Sequence, residues 1–298
     1  MRITARVPAT CANLGPGFDS FGLALDLVNE VTVDTEREPG VEWEGEGSDE
    51  LPTDGEDLVS RAIVYTVDQQ RQRPGAIAVP PFHLHGLNRI PMERGLGSSA
   101  AAAVAGVAIA DALLADAQTD AASRDPYPIF GYAAELEGHP DNAAAATYGG
   151  FTIAVAGSVH RLRPHPDLFP VVLVPRHLRM TTTSARAALA DEVARGDAVF
   201  NLGHASLLTI ALTQDPGLLD VALHDRLHED ARLAAAPEAR DLLVDLRQVR
   251  RVPACVSGAG PALLAFPPGG RDIGALPEGW RAIRVNVRTE GVTVGVET

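Results

Sequence analysis

The residues best placed to do chemistry lie in a short glycine- and serine-rich turn. Gly95, Gly97, Ser98 and Ser99 come directly before the run "AAAAVAGVAIADALL". A helix N-terminus offers free amides and a positive dipole end to an anion, and glycines let the backbone approach phosphate oxygens without a Cβ in the way. The two serines could cap the helix, contact phosphate or help to hold a metal. The pattern predicts a buried helix from Ser98 or Ser99 that binds a triphosphate, with an ordinary capped core helix as the alternative.

Two better-known phosphate motifs are excluded at this turn. All 25 basic residues besides histidine are arginines, so the chain has no Walker A lysine, no lysine for a pyridoxal Schiff base and no protein-kinase strand lysine. Gly95, Gly97 and Ala100 match G-x-G-x-x-A, but the polar segment "NRIPMER" stands where the dinucleotide fingerprint requires a strand.

The composition is that of a globular protein. The 298 residues are 46% hydrophobic and 21% charged, which predicts one large or two medium domains. A net charge of -14 argues against nucleic acid or an anionic membrane as the main partner. Asp111 interrupts the apolar run before it reaches the length of a membrane span. Cys11 and Cys255 are too few for a disulfide framework, and with no signal-peptide pattern at the N-terminus they favour a cytoplasmic protein.

Hydrophobic periodicity predicts strands at both ends of the chain and helices between them. Strands are expected at 2–10, 21–36, 82–87, 149–157, 170–175 and in the tail after 253, with 21–36 as a hairpin turning at Asn29 and Glu30. Helices are expected around the stripe at 58, 59, 62, 63 and 67, after Ser98, before Pro140 and in pieces over 184–248. This order favours an α+β fold over a strictly alternating α/β fold, with a domain boundary near 155–170.

A second candidate site lies in the N-terminal stretch "PATCANLGPGFDSFGLAL". Its Asn13 and Asp19 stand among glycines and prolines, which are turn residues for local reasons. A compact loop between buried strands gives Asp19 no evident reason to be there. One candidate role for Asp19 is to bind the amine of a substrate through its carboxylate.

Four stretches together carry a family resemblance. "PATCANLGPGFDSFGLAL", "PMERGLGSSAA" and "EGHPDNAAAATYGGF" resemble the homoserine kinase family of the GHMP superfamily of small-molecule kinases, and "SGAGPALLAF" resembles the superfamily's C-terminal glycine motif. The second stretch alone indicates the superfamily, whereas the first and third point to homoserine. The resemblance implies an N-terminal ATP-binding domain, placed at 1–160, and a C-terminal ferredoxin-like domain, placed at 161–298, with substrate in the cleft between them and 257–261 as a tight turn nearby.

The resemblance also implies the ATP and metal residues. The residues expected to wrap the ATP phosphates are Pro91, Arg94, Gly95, Leu96, Gly97, Ser98, Ser99, Ala100 and Ala101. Arg94 stands at a variable position, where it is either an extra phosphate contact or a solvent arginine. Mg²⁺ is expected on Ser99 and Glu135, with Glu137 as the alternative, two positions away on a different helix face.

The resemblance places L-homoserine and the catalytic groups as well. Substrate residues are expected to be Asn13, Asp19, His139, Asn142, Arg186 and Arg232, and catalytic residues Asn142, Thr182 and Arg186. An amino acid needs an anion for its ammonium, here Asp19, and a fork donor for its carboxylate, which arginine supplies. Thr182 and Arg186 would share a helix face if their segment is helical. Arg232 is the weakest match, because "EDAR" replaces the family's frequent Pro-Tyr-Arg.

The implied reaction is transfer of the ATP γ-phosphoryl to the homoserine hydroxyl, on the threonine route. Asn142 stands where related enzymes place an aspartate base, and Asp141 is expected to bond backbone in its turn. The sequence therefore predicts a route without a dedicated base, driven by alignment and Mg²⁺. The alternatives are a kinase for mevalonate or another alcohol, and a nucleotide or metabolite sensor without turnover. A homodimer is a family-level expectation.

Overall fold

A mixed sheet forms the larger part of the fold in the computed structural model, which describes residues 1–70, 79–115 and 126–297. Its strands are β1 (Arg2–Ala12), β2 (Phe21–Asp34), β3 (Gly40–Gly45), β4 (His83–Asn88), β5 (Phe151–Val155), β6 (Ser158–Leu162) and β11 (Thr293–Glu297). The order is β11-β1-β2-β4-β3, with β5 paired to the start of β2 and β6 paired to β5. Strands β3 and β4 run parallel, and the other pairs of this sheet are antiparallel. Helices α2 (Ser98–Leu114) and α4 (Pro140–Tyr148) pack on this sheet, and α1 (Leu58–Gln70) and α3 (Tyr127–Glu137) pack against α2.

The hairpin expected at Asn29 and Glu30 is wrong, because β2 is one continuous strand. It pairs with β1 along its length, with a register shift between Pro8 and Ala9. The Asn29 side chain makes a long-range contact instead of a turn. Its Oδ1 accepts hydrogen bonds from the backbone N–H groups of Arg89 (2.7 Å) and Ile90 (3.0 Å).

Helix α2 is packed tightly into the core, as its alanine-rich sequence predicts. Most of its side chains are buried, and it packs against α1, α3, α4 and β1. A Cβ on Gly106 would lie 2.5 Å from the Val59 carbonyl oxygen, so α1 and α2 approach closely only because that residue is glycine. Close packing of small residues leaves the helix little room to shift. The N-terminus of α2 is therefore held on a rigid support.

A second sheet follows in the C-terminal part of the chain. Its strands are β7 (Val171–Pro175), β8 (Ala254–Val256), β9 (Leu263–Ala265) and β10 (Trp280–Arg284), all antiparallel. The helices of this part are α5 (Thr182–Ala187), α6 (Arg195–Thr213), α7 (Leu219–Ala222), α8 (Glu229–Ala234) and α9 (Pro237–Val244). The spatial order β10-β7-β9-β8 is 4-1-3-2 in chain order, the order of a ferredoxin-like sheet. The expected α+β fold is confirmed.

The two sheets are joined by a shared core and by the end of the chain. Val172 and Leu264 of the second sheet lie in the same buried cluster as Ile3 and Val7 of the first. Strand β11, placed by the sequence in the second domain, pairs with β1. The division at 160/161 stays a prediction for the rest of the chain, and residues 293–297 belong with the first sheet. Within the described ranges, no helix is long and apolar enough to cross a membrane.

Candidate active site

The glycine-serine turn opens α2 as predicted. Gly97 is the N-cap in the left-handed region (φ 67°), and its position is not capped by a side-chain hydrogen bond from the described residues. The first helical hydrogen bond runs from the Ala101 N–H to the Gly97 carbonyl oxygen at 2.8 Å. The amides of residues 98–100 precede that bond and have no acceptor within the helix. The turn therefore presents several backbone donors at one end of a rigid helix.

The C-terminal glycine turn holds this loop in place. Ser257 Oγ donates to the Gly95 carbonyl oxygen at 2.7 Å, and the Gly260 N–H bonds the Ser257 carbonyl oxygen at 2.8 Å. A Cβ on Gly95 (φ 71°) would lie 2.0 Å from the Ser257 carbonyl oxygen. The expected tight turn at 257–261 is confirmed, and it packs directly on the loop before α2.

Arg94 has neither of the roles that the sequence allowed. Its Nε, Nη1 and Nη2 donate to the carbonyl oxygens of Pro175 (2.8 Å), Met92 (2.7 Å) and Arg176 (2.6 Å). The side chain is 8% exposed. Because the guanidinium is committed to these carbonyls, Arg94 joins the loop to the end of β7. The expected side-chain contact with phosphate is corrected to a structural role.

A polar cleft of about 280 Å³ lies at the N-terminus of α2. That volume is near the lower end of the ~300–1,000 Å³ of small-molecule sites. The cleft is lined by Asn13, Asp19, Gly95, Leu96, Gly97, Ser98, Ser99, Glu137, His139, Asp141, Asn142, Thr182, Arg186, Arg232, Gly258 and neighbouring residues. Every expected substrate residue is among them. Of the expected ATP residues, Ala101 lines a neighbouring apolar cavity, and Pro91, Arg94 and Ala100 line neither.

Ser99 at the start of α2 contacts Glu137, the alternative metal ligand, and not the expected Glu135. Ser99 Oγ donates to Glu137 Oε2 at 3.0 Å, and both residues line the cleft. Glu135 is exposed and accepts a hydrogen bond from the Tyr65 hydroxyl at 2.6 Å. The two glutamates differ because the face of α3 that meets Ser99 of α2 carries Glu137 and not Glu135. Burial raises the pKa of the Glu137 carboxyl, so this side chain would gain from a cation beside it.

Asp19 and Arg186 form a bidentate ion pair across the cleft. Arg186 Nη1 and Nη2 lie 2.9 and 2.8 Å from the two Asp19 carboxylate oxygens, and the hydrogen bonds that Arg186 donates to Asp19 raise the pKa of Arg186. Both side chains remain partly exposed. Residues 182–187 are helical, so Thr182 and Arg186 share a face of α5 and both line the cleft, as expected.

Asn13 ties the N-terminal loop together. It adopts a left-handed conformation (φ 66°). Its Oδ1 accepts the Asp19 N–H and its Nδ2 donates to the Gly258 carbonyl oxygen, each at 3.0 Å. Both ends of the amide therefore fix the loop that carries Asp19, and a direct contact with substrate stays a prediction.

Arg232 is buried rather than solvated, with 3% of its surface exposed. Its Nη1 donates to the Gly258 carbonyl oxygen (2.8 Å) and to His228 Nδ1 (3.0 Å). His228 Nε2 donates to the Gly15 carbonyl oxygen at 2.7 Å, and burial lowers the pKa of His228 to about 4, so the ring is neutral at pH 7. The Phe18 ring lies beneath the Arg232 guanidinium at 5.4 Å. The arginine is thus held rigidly with one edge in the cleft.

The start of α4 brings three polar residues to the cleft. His139 is the N-cap residue, and its buried Nδ1 has no hydrogen-bond partner among the described residues. Asp141 Oδ1 accepts the Asn142 N–H at 2.7 Å, which confirms the expected backbone bond. Asp141 also lines the cleft, a role that its sequence context did not predict. Burial raises the pKa of the Asp141 carboxyl. The sequence signal for Asp141 as a cleft residue is its position as an acid in the first turn of α4.

An apolar cavity of about 220 Å³ adjoins the polar cleft. Ser98, Ser99 and Glu93 line both spaces. The other residues that line this apolar cavity include Val31, Trp43, Leu51, Leu58, Ile90 and Met92, together with the polar Asp57 and Asn88. The start of α2 therefore faces a polar space on one side and an apolar space on the other. The sequence did not predict the apolar cavity, because its walls come from segments distant in the chain.

Comparison with known proteins decides the family. The model for the GHMP kinases N terminal domain matches residues 57–150. A homoserine kinase from Mycolicibacterium vanbaalenii is 46% identical over 273 residues, which is 88% of this chain and 84% of that protein. Another, from Clavibacter michiganensis, is 43% identical and covers 99% of this chain and 94% of its own. The chain belongs to the homoserine kinase family.

A solved structure extends the comparison to the fold. The crystal structure of homoserine kinase from Cytophaga hutchinsonii matches this chain with a TM-score of 0.81 and 26% identity, over 98% of this chain and 97% of that one. The resemblance inferred from four short motifs therefore holds over nearly the whole length. The comparisons do not assign roles to individual residues, so the role of each cleft residue in this chain remains a prediction.

Proposed function

We propose that this protein is an ATP-dependent homoserine kinase, which transfers the γ-phosphoryl group of ATP to the hydroxyl of L-homoserine to give O-phospho-L-homoserine. The observation that carries the proposal is the composition of the polar cleft. The free amides at the start of α2 and the Asp19–Arg186 pair line the same space. The amides suit a phosphate, and the ion pair suits a zwitterion.

The nucleotide follows from the two spaces beside α2. Amides of residues 95–99 would bind the triphosphate, because glycines at 95 and 97 let it approach the backbone. The adjoining apolar cavity would take the base, between Trp43 and Leu58 among others. With no lysine in the chain, phosphate charge must be met by backbone dipoles, arginines and a cation.

Ser99 and Glu137 fit a Mg²⁺ site. Hydroxyl and carboxylate oxygens are ligands that Mg²⁺ accepts, and it commonly keeps only one or two protein ligands. The two oxygens lie 3.0 Å apart at the edge where the phosphates would bind. Bound there, Mg²⁺ would neutralise phosphate charge. We therefore propose Ser99 and Glu137 as the metal ligands, in place of the expected Ser99 and Glu135.

Glu137→Gln should weaken the effect of Mg²⁺ on ATP binding by about tenfold or more, because it removes the charged ligand and keeps the shape. Glu135→Gln is the matched control, since Glu135 lies outside the cleft on the same helix and should leave the Mg²⁺ effect within about twofold. Calorimetric titration of ATP with and without Mg²⁺ measures the effect without turnover. An equal response of the two variants would contradict the assignment.

The charges of homoserine have partners on both sides of the cleft. Arg186 and Arg232 are the fork donors for the carboxylate. Asp19 and the buried Asp141 are anions for the ammonium, and the unpaired Nδ1 of His139 supports a further polar contact. In this arrangement the bound substrate separates Asp19 from Arg186, and each side chain then makes a charge-assisted contact with the substrate: Asp19 with the ammonium and Arg186 with the carboxylate.

Catalysis in this proposal rests on alignment. A loose phosphoryl-transfer transition state leaves the protein mainly positioning and charge neutralisation to supply, and holding two reactants in line is worth on the order of 7–11 kcal/mol. Asn142, Thr182 and Arg186 would position the hydroxyl and the transferring group. Asn142 cannot accept the hydroxyl proton, so the γ-phosphate remains the expected acceptor.

A coupled assay of ADP release tests the proposed reaction. We expect ADP release that depends on L-homoserine, with phosphate appearing on the side-chain oxygen in ³¹P NMR. Mevalonate should not replace homoserine, because it has no ammonium group for Asp19. Homoserine-independent binding of ATP without ADP release would favour a sensor instead and would overturn the proposal.

The biological setting follows from the proposed product. Phosphorylation of homoserine belongs to threonine biosynthesis, and we infer a cytoplasmic enzyme with Cys11 and Cys255 as buried free thiols. A homodimer stays a prediction.

A further inference from the structure

Thr10, near the end of β1, touches both halves of the proposed active site without lining the cleft. It is fully buried. Its backbone N–H donates to the Leu96 carbonyl oxygen in the phosphate loop at 3.1 Å. Its hydroxyl donates to Asn142 Oδ1 at the start of α4 at 2.7 Å. A Cβ on Gly97 would lie 2.0 Å from that hydroxyl oxygen. The backbone and the side chain of this one residue therefore link the phosphate loop to Asn142.

The Thr10 hydroxyl also decides which way the Asn142 amide faces. Asn142 Oδ1 accepts from Thr10, and Asn142 Nδ2 lies 3.5 Å from Asp141 Oδ1. Turning the amide by 180° would put its oxygen against the Asp141 carboxylate, where two acceptors repel each other. Both neighbours thus favour the same orientation, and the amide carbonyl is occupied by Thr10, a residue that does not line the cleft.

We propose that Thr10 is a positioning residue, which holds the Asn142 amide with its NH₂ group toward the acceptor hydroxyl. The inference rests on the proposed kinase function. A donor at this place can bond the hydroxyl oxygen of the substrate or an oxygen of the γ-phosphoryl group, and it cannot take a proton. Loss of the Thr10 hydroxyl leaves the Asn142 carbonyl without its hydrogen-bond partner, and only the 3.5 Å contact with Asp141 Oδ1 then favours this orientation.

Thr10→Ala and Thr10→Ser form a matched pair, because both lack the γ-methyl group and only serine keeps the donor. We expect the alanine variant to lose about 10- to 100-fold in kcat, with KM for ATP and for homoserine within about threefold of the wild type. The serine variant should retain kcat within about threefold. Thermal unfolding of both variants measures the packing effect of the lost methyl group separately.

A double-mutant cycle gives a readout that packing alone would not produce. In an Asn142→Ala background, Thr10→Ala should cost less than about threefold in kcat, since there is no amide left to orient. Full loss in both backgrounds, or equal loss in the serine and alanine variants, would overturn the inference. If Thr10→Ala does not fold, Thr10→Val replaces it in the same comparison.

The outcome is separable from the proposed function. If the wild type shows no homoserine-dependent ADP release, the kinase proposal fails whatever Thr10 does. If the wild type turns over and Thr10→Ala keeps its kcat, the kinase proposal stands and the role of Thr10 is wrong.

Discussion

Asp19→Asn is expected to raise the KM for L-homoserine by about 10- to 100-fold, while KM for ATP stays within about twofold. The substitution keeps the size of the side chain and removes the anion. A hydrogen bond to a charged group is worth about 1.5–3 kcal/mol, which corresponds to this range. Asp19 accepts hydrogen bonds from both terminal nitrogens of Arg186, so the variant loses the proposed partner of the ammonium and leaves the arginine less well oriented.

Asp26→Asn is the matched control for this variant. Asp26 also pairs with an arginine, with Arg288 Nη1 at 3.3 Å, but it lies outside the polar cleft. Its loss should change neither KM by more than about twofold, because exposed ion pairs contribute about 0–1 kcal/mol. Unchanged homoserine affinity in Asp19→Asn would favour a substrate without an ammonium group and would contradict recognition of an amino acid.

Gly97→Ala is expected to lower kcat/KM for ATP by about 100-fold or more. The added Cβ would lie 2.0 Å from Thr10 Oγ1 and 3.0 Å from Asn142 Oδ1, and Thr10 is fully buried. The loop must therefore move, and a displacement of about 1 Å at a phosphoryl-transfer site costs about 100-fold. The left-handed backbone adds about 1–2 kcal/mol of strain to the folded state.

Gly157→Ala separates strain from collision. Gly157 has a similar φ of 77°, lies in the turn between β5 and β6, and has open space where its Cβ would be. In chemical denaturation Gly157→Ala should show the strain alone, and Gly97→Ala should lose at least as much stability because the collision adds to the strain. Only Gly97→Ala should lose activity in the ADP-release assay. Equal activity of the two variants would show that the phosphate loop tolerates displacement, and rigid placement of the phosphates by α2 would then be wrong.

The local parts of the site were accessible from sequence. The start of α2 at Ser98, the end of α3 before Pro140 and the turn at 257–261 depend on glycine, proline and hydrophobic period within a few residues. Those rules act at short range, so a single sequence carries them. The family motifs then supplied the fold and the cleft residues, which the periodicity could not have distinguished from other two-layer folds.

Expectation and structure differ where long-range contacts decide. Asn29 has the composition of a turn but bonds the backbone of 89–90 from within a strand. Glu135 and Glu137 differ only in which face of α3 meets Ser99, and that depends on helix packing. Arg94 binds three carbonyl oxygens, which belong to its own loop and to the end of β7. The spacing of residues along the sequence does not indicate which of these groups will be partners.

The burial of Arg232 and Asp141 likewise could not be predicted from the sequence. Arg232 lies in a short helix whose other residues suggest a surface, yet the Gly258 turn and Phe18 enclose it. The sequence predicts that Asp141 bonds backbone in its turn, and the same carboxylate also lines the cleft. Both belong to the site only because segments more than a hundred residues apart meet there.

A crystal structure with L-homoserine, Mg²⁺ and a non-hydrolysable ATP analogue tests the central claim most directly. We expect the γ-phosphate on the amides that begin α2, the amino-acid carboxylate on Arg186 or Arg232, its ammonium on Asp19 or Asp141, and its hydroxyl beside Asn142. A nucleotide bound away from α2, or an amino acid whose charged groups avoid Asp19 and Arg186, would contradict the proposed active site.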